Sequence, residues 1–420
     1  MRNLFSVLMI ILVSLSLVVC SDFSGWDVIG GGSYAPAVPS GVPGGDYVSG
    51  GMNGNQNRPG SGQLTCGEWS DIKNYPFYLS LFNIIDDTDP DIDDSQRRMG
   101  FRSFIDYFGF ETRYMVTVNV IHNEAPVCDA AVELYDSTDD LLFKAKTDVL
   151  GNAYLFPYYN LNGENITVKV ISGGFETSQS LVYAQEDGLQ IDLDSRDIAQ
   201  SVLDIMFVID TTGSMGDELS YLKEEISDVI GEISSLNPGY TINLALLFYR
   251  DTGDQYVTRS FNFTSDISQQ RQNLSRQHAE GGGDFPEAAD RALSEAMQLS
   301  WTETSAVRLL FHVCDAPPHE EQENKTLFFN SVNAAAQKGI RIIPVASSGI
   351  DLKTEYLLRQ EALMTGGTYI FLTDDSGIGN DHLLATVGDY TVEYLNACLK
   401  RIINEYLTGE ETEPVPYYFP

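Results

Sequence analysis

The chain is 420 residues long and carries 25 basic against 60 acidic side chains, a formal net charge of −35. At about 100–200 residues per domain that length accommodates two or three domains with full hydrophobic cores, so neither disulfides nor metals are needed to hold the fold. The charge repels phosphate backbones and anionic membrane surfaces, which argues against nucleic acid and leaves divalent cations, basic surfaces and sugars as ligands.

Residues 1–19 begin with a single early charge, Arg2, followed by an apolar run from Leu4 to Val19, the pattern of a secretory signal peptide rather than a spanning helix. The run ends at Cys20 in a Leu-Val-Val-Cys sequence that resembles the lipobox of bacterial lipoproteins. That resemblance implies that Cys20 becomes the lipidated N-terminus of a protein in the cell envelope of a Gram-negative bacterium, held to the membrane by lipid alone. It departs from the pattern at Val19, where a small residue is usual. An ordinary cleaved signal, with Cys20 incidental, is the other reading. Residues 20–60 are dominated by Gly, Ser, Pro and Asn and are expected to form a flexible linker.

Residues 61–112 suggest no particular fold. Asp87, Asp89, Asp91 and Asp93 alternate as calcium-loop acids can, but no glycine follows at the sharp turn and Arg98 stands where a closing Glu belongs, so a solvated acidic loop is expected. Export would place Cys66, Cys128, Cys314 and Cys398 where disulfides persist. Cys314 and Cys398 fall on a predicted core strand and helix as buried thiols, which leaves Cys66 with Cys128 as the pair to test.

From residue 113 to 195 the pattern alternates with period two. Val116, Val118 and Val120 share one face and Asn, Asp, Gly and Pro punctuate the runs, as in an antiparallel sandwich. Pro126-Val127 leading into Ala131–Leu134, and Thr147-Asp148 with Gly151 before Tyr154–Phe156, resemble the carboxypeptidase regulatory-like β-sandwich family. The resemblance implies a spacer or binding accessory without catalysis of its own.

Residues 200–408 alternate short apolar strands with helical stripes. Met215, Leu219, Leu222, Ile226, Ile230 and Ile233 lie on one stripe, and Asp284, Pro286 and Glu287 read as the capped start of another helix. Such a series predicts an α/β, doubly wound, mostly parallel sheet, with Thr258–Thr264 as an antiparallel edge. The tail, residues 409–420, reads as disordered.

Candidate site residues lie where predicted strands end. Asp210, Thr212 and Ser214 place three hard oxygen donors in one turn, which suits Mg²⁺, Mn²⁺ or Ca²⁺, and Asp284 and Asp315 add acids at two further strand ends. Taken singly, the Asp210-Thr212-Ser214 group and Asp284 also fit helix capping. Together, Asp-x-Thr-x-Ser and the acid after the fourth strand resemble the von Willebrand factor type A domain and its metal-ion-dependent adhesion site. The resemblance implies a bound divalent cation, Mg²⁺ first, whose coordination is completed by an acidic side chain of a protein partner. The family usually offers a threonine in its second loop. Asp284 stands there instead, as in the type A domains of hemicentins and of proteins fused to alpha-kinases, and implies tighter cation binding with weaker attraction for an acidic ligand.

Asp251 and Asp254 lie near the same rim and read either as acids supporting the metal ligands or as partners of Arg250 and Arg259, the pairing being expected, and His312 reads as a satisfied core residue. No GxSxG, HExxH, Walker or strand-linked GxGxxG motif is present. The expected function is therefore an exported, cation-dependent binding protein and not an enzyme. A structural envelope component in which the cation only stabilises the fold, or a metal-dependent hydrolase, are the alternatives.

Overall fold

A computed structural model describes residues 63–82, 101–184, 188–194, 200–237, 239–304, 306–379 and 382–418. The expected signal, Cys20, the linker and the Asp87–Asp93 loop lie outside them. Residues 63–82 and 101–112 form β1 (Thr65–Trp69), α1 (Tyr75–Ser80) and α2 (Arg102–Phe108). Tyr78, Phe82, Phe101, Phe104 and Phe108 are buried, and three of these rings, Phe101, Phe104 and Phe108, pack on Tyr356. Beside them Arg359, fully buried, donates from Nε to Asp71 Oδ2 at 2.8 Å and from Nη2 to Asp71 Oδ1 at 2.5 Å.

The next residues build two four-stranded sheets from β2 (Val116–His122), β3 (Ala125–Pro126), β4 (Ala131–Tyr135), β5 (Leu141–Lys146), β6 (Asn152–Leu155), β7 (Asn165–Ser172), β8 (Phe175–Val182) and β9 (Leu189–Asp192). One runs β3-β2-β6 with β9 on β2; the other runs β5-β4-β7-β8. Val116, Val118 and Val120 point inward as the alternation requires, and Gly151 N–H donates to Asp148 O at 3.0 Å in the turn before β6. These sheets are docked on the larger one rather than held away from it: Arg308 Nη1 meets Asp129 Oδ1 at 2.8 Å and Arg341 Nη2 donates to Lys146 O at 2.8 Å.

The remaining elements are β10 (Val202–Asp210), α3 (Leu219–Leu236), β11 (Thr241–Tyr249), β12 (Thr258–Thr264), α4 (Ile267–Ser275), α5 (Ala289–Ala296), β13 (Ala306–Cys314), α6 (Gln322–Lys338), β14 (Ile340–Ala346), α7 (Leu352–Thr365), β15 (Tyr369–Leu372), β16 (Glu393–Tyr394) and α8 (Leu395–Thr408). They form an eight-stranded sheet in the order β12-β11-β10-β13-β14-β15-β1-β16, parallel from β11 to β15 and antiparallel at both margins. Strands covered on both faces read as continuous apolar runs. In β10, Met206 and Val208 enter one core with the sandwich and α5–α7, while Leu203, Ile205, Phe207 and Ile209 enter the other with α3 and α8. β1 slots between β15 and β16, where Gly67 is required because a Cβ there would sit 2.5 Å from the Phe371 ring.

Three expectations change here. Cys66 is buried in β1 while Cys128 Sγ faces Val149 O at 3.8 Å in the sandwich, so these two are not bridged. The tail is ordered through Tyr418: Tyr417 N–H donates to Val392 O at 2.7 Å and its ring meets Tyr394 edge-on. Asp284 does not cap α5, which starts five residues later with Ala288 at the N-cap position.

Two groups give stability predictions. Asp71→Ala would leave the Arg359 guanidinium buried with Glu355 at 3.3 Å and the Thr386 carbonyl as its remaining partners and Nε and Nη2 without Asp71, and is expected to cost about 3 kcal/mol in urea unfolding. A loss under about 1 kcal/mol would mean that Asp71 contributes no more than an exposed pair. Glu225 on α3 accepts from Leu64 N–H at 3.2 Å, and burial pushes its carboxyl up to about 7 from 4.5. The folded chain thus holds this proton more tightly than the unfolded one, and the stability it lends is full below pH 4.5 and lost as pH rises through about 7. Glu225→Gln should therefore melt above the wild type at pH 8 and with it at pH 4; parallel melting curves across that range would refute the assignment.

Candidate metal centre

The chain leaves β10 for β11 on one side and returns to β13 on the other, so strand order reverses between β10 and β13. In open α/β sheets the crevice beyond the carboxyl ends at such a reversal is where ligands sit. Asp210 is the last residue of β10 and Asp315 follows the last residue of β13.

Between β10 and α3 the chain makes one 3-10 turn at Gly213–Gly216. Asp210 Oδ1 accepts from Thr212 N–H at 2.8 Å and from the Thr212 hydroxyl at 2.7 Å, and Thr212 Oγ1 lies 3.2 Å from Ser214 Oγ. The Ser214 hydroxyl in turn hydrogen-bonds Asp315. One continuous chain of hydrogen bonds thus joins Asp210, Thr212, Ser214 and Asp315. Neither hydroxyl caps the turn or α3, so the capping alternative does not describe them.

Asp284 is absent from this group. It stays in the exposed Gly281–Phe285 loop, where its charge acts on His319. Glu287 takes the inner place: its N–H donates to Pro317 O at 2.9 Å, and the resulting bridge to Pro318 turns its side chain inward, leaving it 3% exposed. Gly282, at φ 74°, closes over it, and a Cβ there would stand 2.8 Å from Glu287 Oε1. Sequence reasoning saw Glu287 only as a capping acid. The prolines after Asp315 were the available signal, since proline favours extended chain over helix.

The acids around this core are not paired as expected. Asp251 Oδ1 meets His319 Nε2 at 2.6 Å, and Asp254 Oδ2 accepts from the N–H groups of Asp251 at 3.1 Å and Gly282 at 2.9 Å. Arg250 instead donates to His278 O at 2.9 Å, and Arg259 lies over the Tyr256 ring at 3.9 Å. Asp251 is thus met by an imidazole and Asp254 by two backbone N–H groups, while both arginines are engaged elsewhere. His312 is satisfied in the core, with Nδ1 2.9 Å from Glu361 Oε2 and Nε2 3.2 Å from the Tyr249 hydroxyl.

Electrostatics follow the geometry. Burial pushes Asp210 up to about 6 against its bonds from Thr212. Burial and then the Asp210 charge push Asp315 up to about 7; burial and then Asp210, Asp251, Asp315 and Asp254 push Glu287 up to about 9.

Among the described residues, no three His, Cys, Asp or Glu side chains stand ready-made around a metal. The donors here are mixed, two hydroxyls with the carboxylates, and three buried oxygens make no hydrogen bond of good geometry, Asp210 Oδ2, Asp315 Oδ1 and Glu287 Oε2, with the Tyr249 hydroxyl beside Asp210 lowering its pKa against burial. Buried carboxylate oxygens without well-formed donors are costly unless a cation meets them, so this donor set fits a hard divalent ion.

Residues 204–373 match the von Willebrand factor A domain family. An ariadne-like RING finger protein of Acanthamoeba polyphaga mimivirus is 32% identical over 134 residues, 32% of this chain and 13% of that protein. Alpha-protein kinase vwkA of Dictyostelium discoideum is 23% identical over 208 residues, covering 47% and 33%. The human von Willebrand factor A domain-containing protein 7 is 32% identical over 116 residues, covering 28% and 12%. The chain thus spans no more than a third of the length of these relatives. The crystal structure of BatB from Bacteroides thetaiotaomicron aligns at 14% identity with a TM-score of 0.35, over 49% of this chain and 98% of that one.

Repulsion within the acid group has a direct consequence. In chelator, Asp315→Asn removes one clustered charge and keeps an acceptor for Ser214, and is expected to raise the melting temperature by a few degrees. Asp284→Asn, in the exposed loop, should leave it unchanged. A fall in the Asp315→Asn midpoint would show that the carboxylates are not in conflict.

Proposed function

Because residues 204–373 form a von Willebrand factor A domain, we propose that this chain is a divalent-cation-dependent protein-binding module. The observation that carries this reading is the set of three buried carboxylate oxygens that make no hydrogen bond of good geometry beside the Thr212 and Ser214 hydroxyls, at the strand reversal. Asp210, Thr212, Ser214, Asp315 and Glu287 would hold the ion, Mg²⁺ in the first place and Mn²⁺ or Ca²⁺ by the same oxygen chemistry. When bound, the cation supplies a coordination position for an oxygen of a protein partner, such as an Asp or Glu side chain.

The chain's own residues tune that position. Glu287 adds negative charge next to the ion, which favours cation retention and weakens attraction for an incoming carboxylate. This is the role that sequence reasoning gave to Asp284. Asp251 is engaged by His319 and Asp254 by two N–H groups, so both act on the site through charge and loop position. The exposed Phe285, 45% accessible, stands on the same loop where an arriving partner would touch it.

In this reading the protein binds rather than catalyses, supported by the lack of a nucleophile–base motif in the sequence. The apolar leader and Cys20 support an exported, lipid-anchored protein of the bacterial envelope; the docked sandwich supports a rigid platform for the site.

Calorimetry with MgCl₂, MnCl₂ and CaCl₂ tests the metal centre. Wild type should take up one ion, Asp210→Ala none, and Glu287→Gln should bind about tenfold more weakly. Asp284→Asn should match wild type. Absence of uptake for all three salts would end the proposal. Chelation should abolish binding of a carboxylate-bearing partner while the fold persists; retention of the partner would assign the cation a structural role instead.

A further inference from the structure

Two buried thiols face each other where β1 meets α8. Cys66 and Cys398 are both 0% exposed and belong to the same core. The elements that carry them are locked in register: Cys66 lies opposite Glu393, and Leu395 N–H donates to Leu64 O at 2.9 Å. Arg401 Nη2 lies 2.7 Å from Glu68 Oε2 and 3.7 Å from Cys398 Sγ. Glu68 and Cys66, two residues apart, share a strand face, and Arg401 and Cys398, three apart, share a helix face. An arginine that reaches both Glu68 and Cys398 therefore turns the face of β1 that carries Cys66 toward the face of α8 that carries Cys398, and Cys66 is near enough to push the Cys398 thiol well above its ordinary pKa.

We propose that Cys66 and Cys398 form a cross-linking site, closed as an intramolecular disulfide by exchange with an external disulfide such as oxidised glutathione. One cysteine thiolate attacks a sulfur of that disulfide and expels one glutathione thiolate. The second cysteine thiolate attacks the mixed disulfide, forms the Cys66–Cys398 bond and expels the second glutathione. The two cysteines lose two protons and two electrons in all, and these appear in two molecules of reduced glutathione.

Its timing follows from burial. In the folded chain the Cys66 contact and the apolar surroundings hold the Cys398 thiol protonated, and no oxidant reaches either sulfur. Exchange therefore belongs to the stage before β1 docks. The bond would tie the first strand of the folded unit to its last helix. That strand is otherwise held at its start by Leu64 and Thr65, through Glu225, Thr373 and Leu395.

The test uses the full chain, which has five cysteines, refolded in glutathione buffers from fully reducing to fully oxidising. Denaturation, alkylation and peptide mapping without reductant should find Cys66 and Cys398 protected and linked, with Cys128 and Cys314 alkylated. The oxidised protein should unfold at a higher urea midpoint than the reduced one, and Cys398→Ser should abolish that difference. Alkylation of Cys66 and Cys398 in every buffer, or a bond joining either to another cysteine, would overturn the proposal. Wild-type mapping decides it even if the variant fails to fold, and neither result depends on metal uptake.

Discussion

Like charges buried together must be neutralised, and the architecture of this chain is organised around one such group. Asp210, Asp315 and Glu287 come from three separate segments and meet at the reversal of a parallel sheet, with an oxygen on each that makes no hydrogen bond of good geometry. Strand packing holds two of them there. β10 and β13 are covered on both faces, so their terminal acids cannot swing out to solvent without disturbing the core. Protonation and a bound cation are the two ways such a cluster can persist.

Glu287 shows how backbone connections decide which acid enters. Asp284 and Glu287 lie three residues apart in the segment that follows the Gly281–Gly283 run. The hydrogen bond to Pro317 O selects Glu287, because it makes the segment strand-like for one residue and rotates that side chain inward. Asp284, three residues earlier, is left at the rim with Phe285. One short stretch thus presents a solvent-facing acid, Asp284, and a buried one, Glu287.

The flanking elements stiffen this arrangement without touching it. β1 and β16 add antiparallel strands beyond β15, and β12 does so beyond β11, which limits the exposed parallel edge. The two smaller sheets share one of the main cores, and Arg308 and Arg341 fasten them from beneath. Arg359 with Asp71 fixes the aromatic segment against α7. The site therefore stands on three packed layers of chain and its geometry is set by rigid strand ends.

Much of this was legible in residue patterns. Continuous apolar runs marked β10, β11, β13, β14 and β15, because strands buried on both faces have no polar side to show. The stripe from Met215 to Ile233 marked α3, and Asp210, Thr212, Ser214 and Asp315 stood out because hard oxygen donors at strand ends have few structural uses. Residues 61–112 were opaque for a physical reason: β1 is stable only when paired with β15 and β16, more than 290 positions away, so nothing local distinguishes it. Glu287 over Asp284, His319 on Asp251 and the facing of Cys66 and Cys398 were likewise beyond local pattern. The sequence alone determined which segments could be strands and helices and which residue types could bind a hard ion, since both follow from short-range periodicity and donor chemistry. Only the tertiary structure decided which acid turns inward and which thiols meet, because those choices depend on hydrogen bonds and packing between residues far apart in the chain.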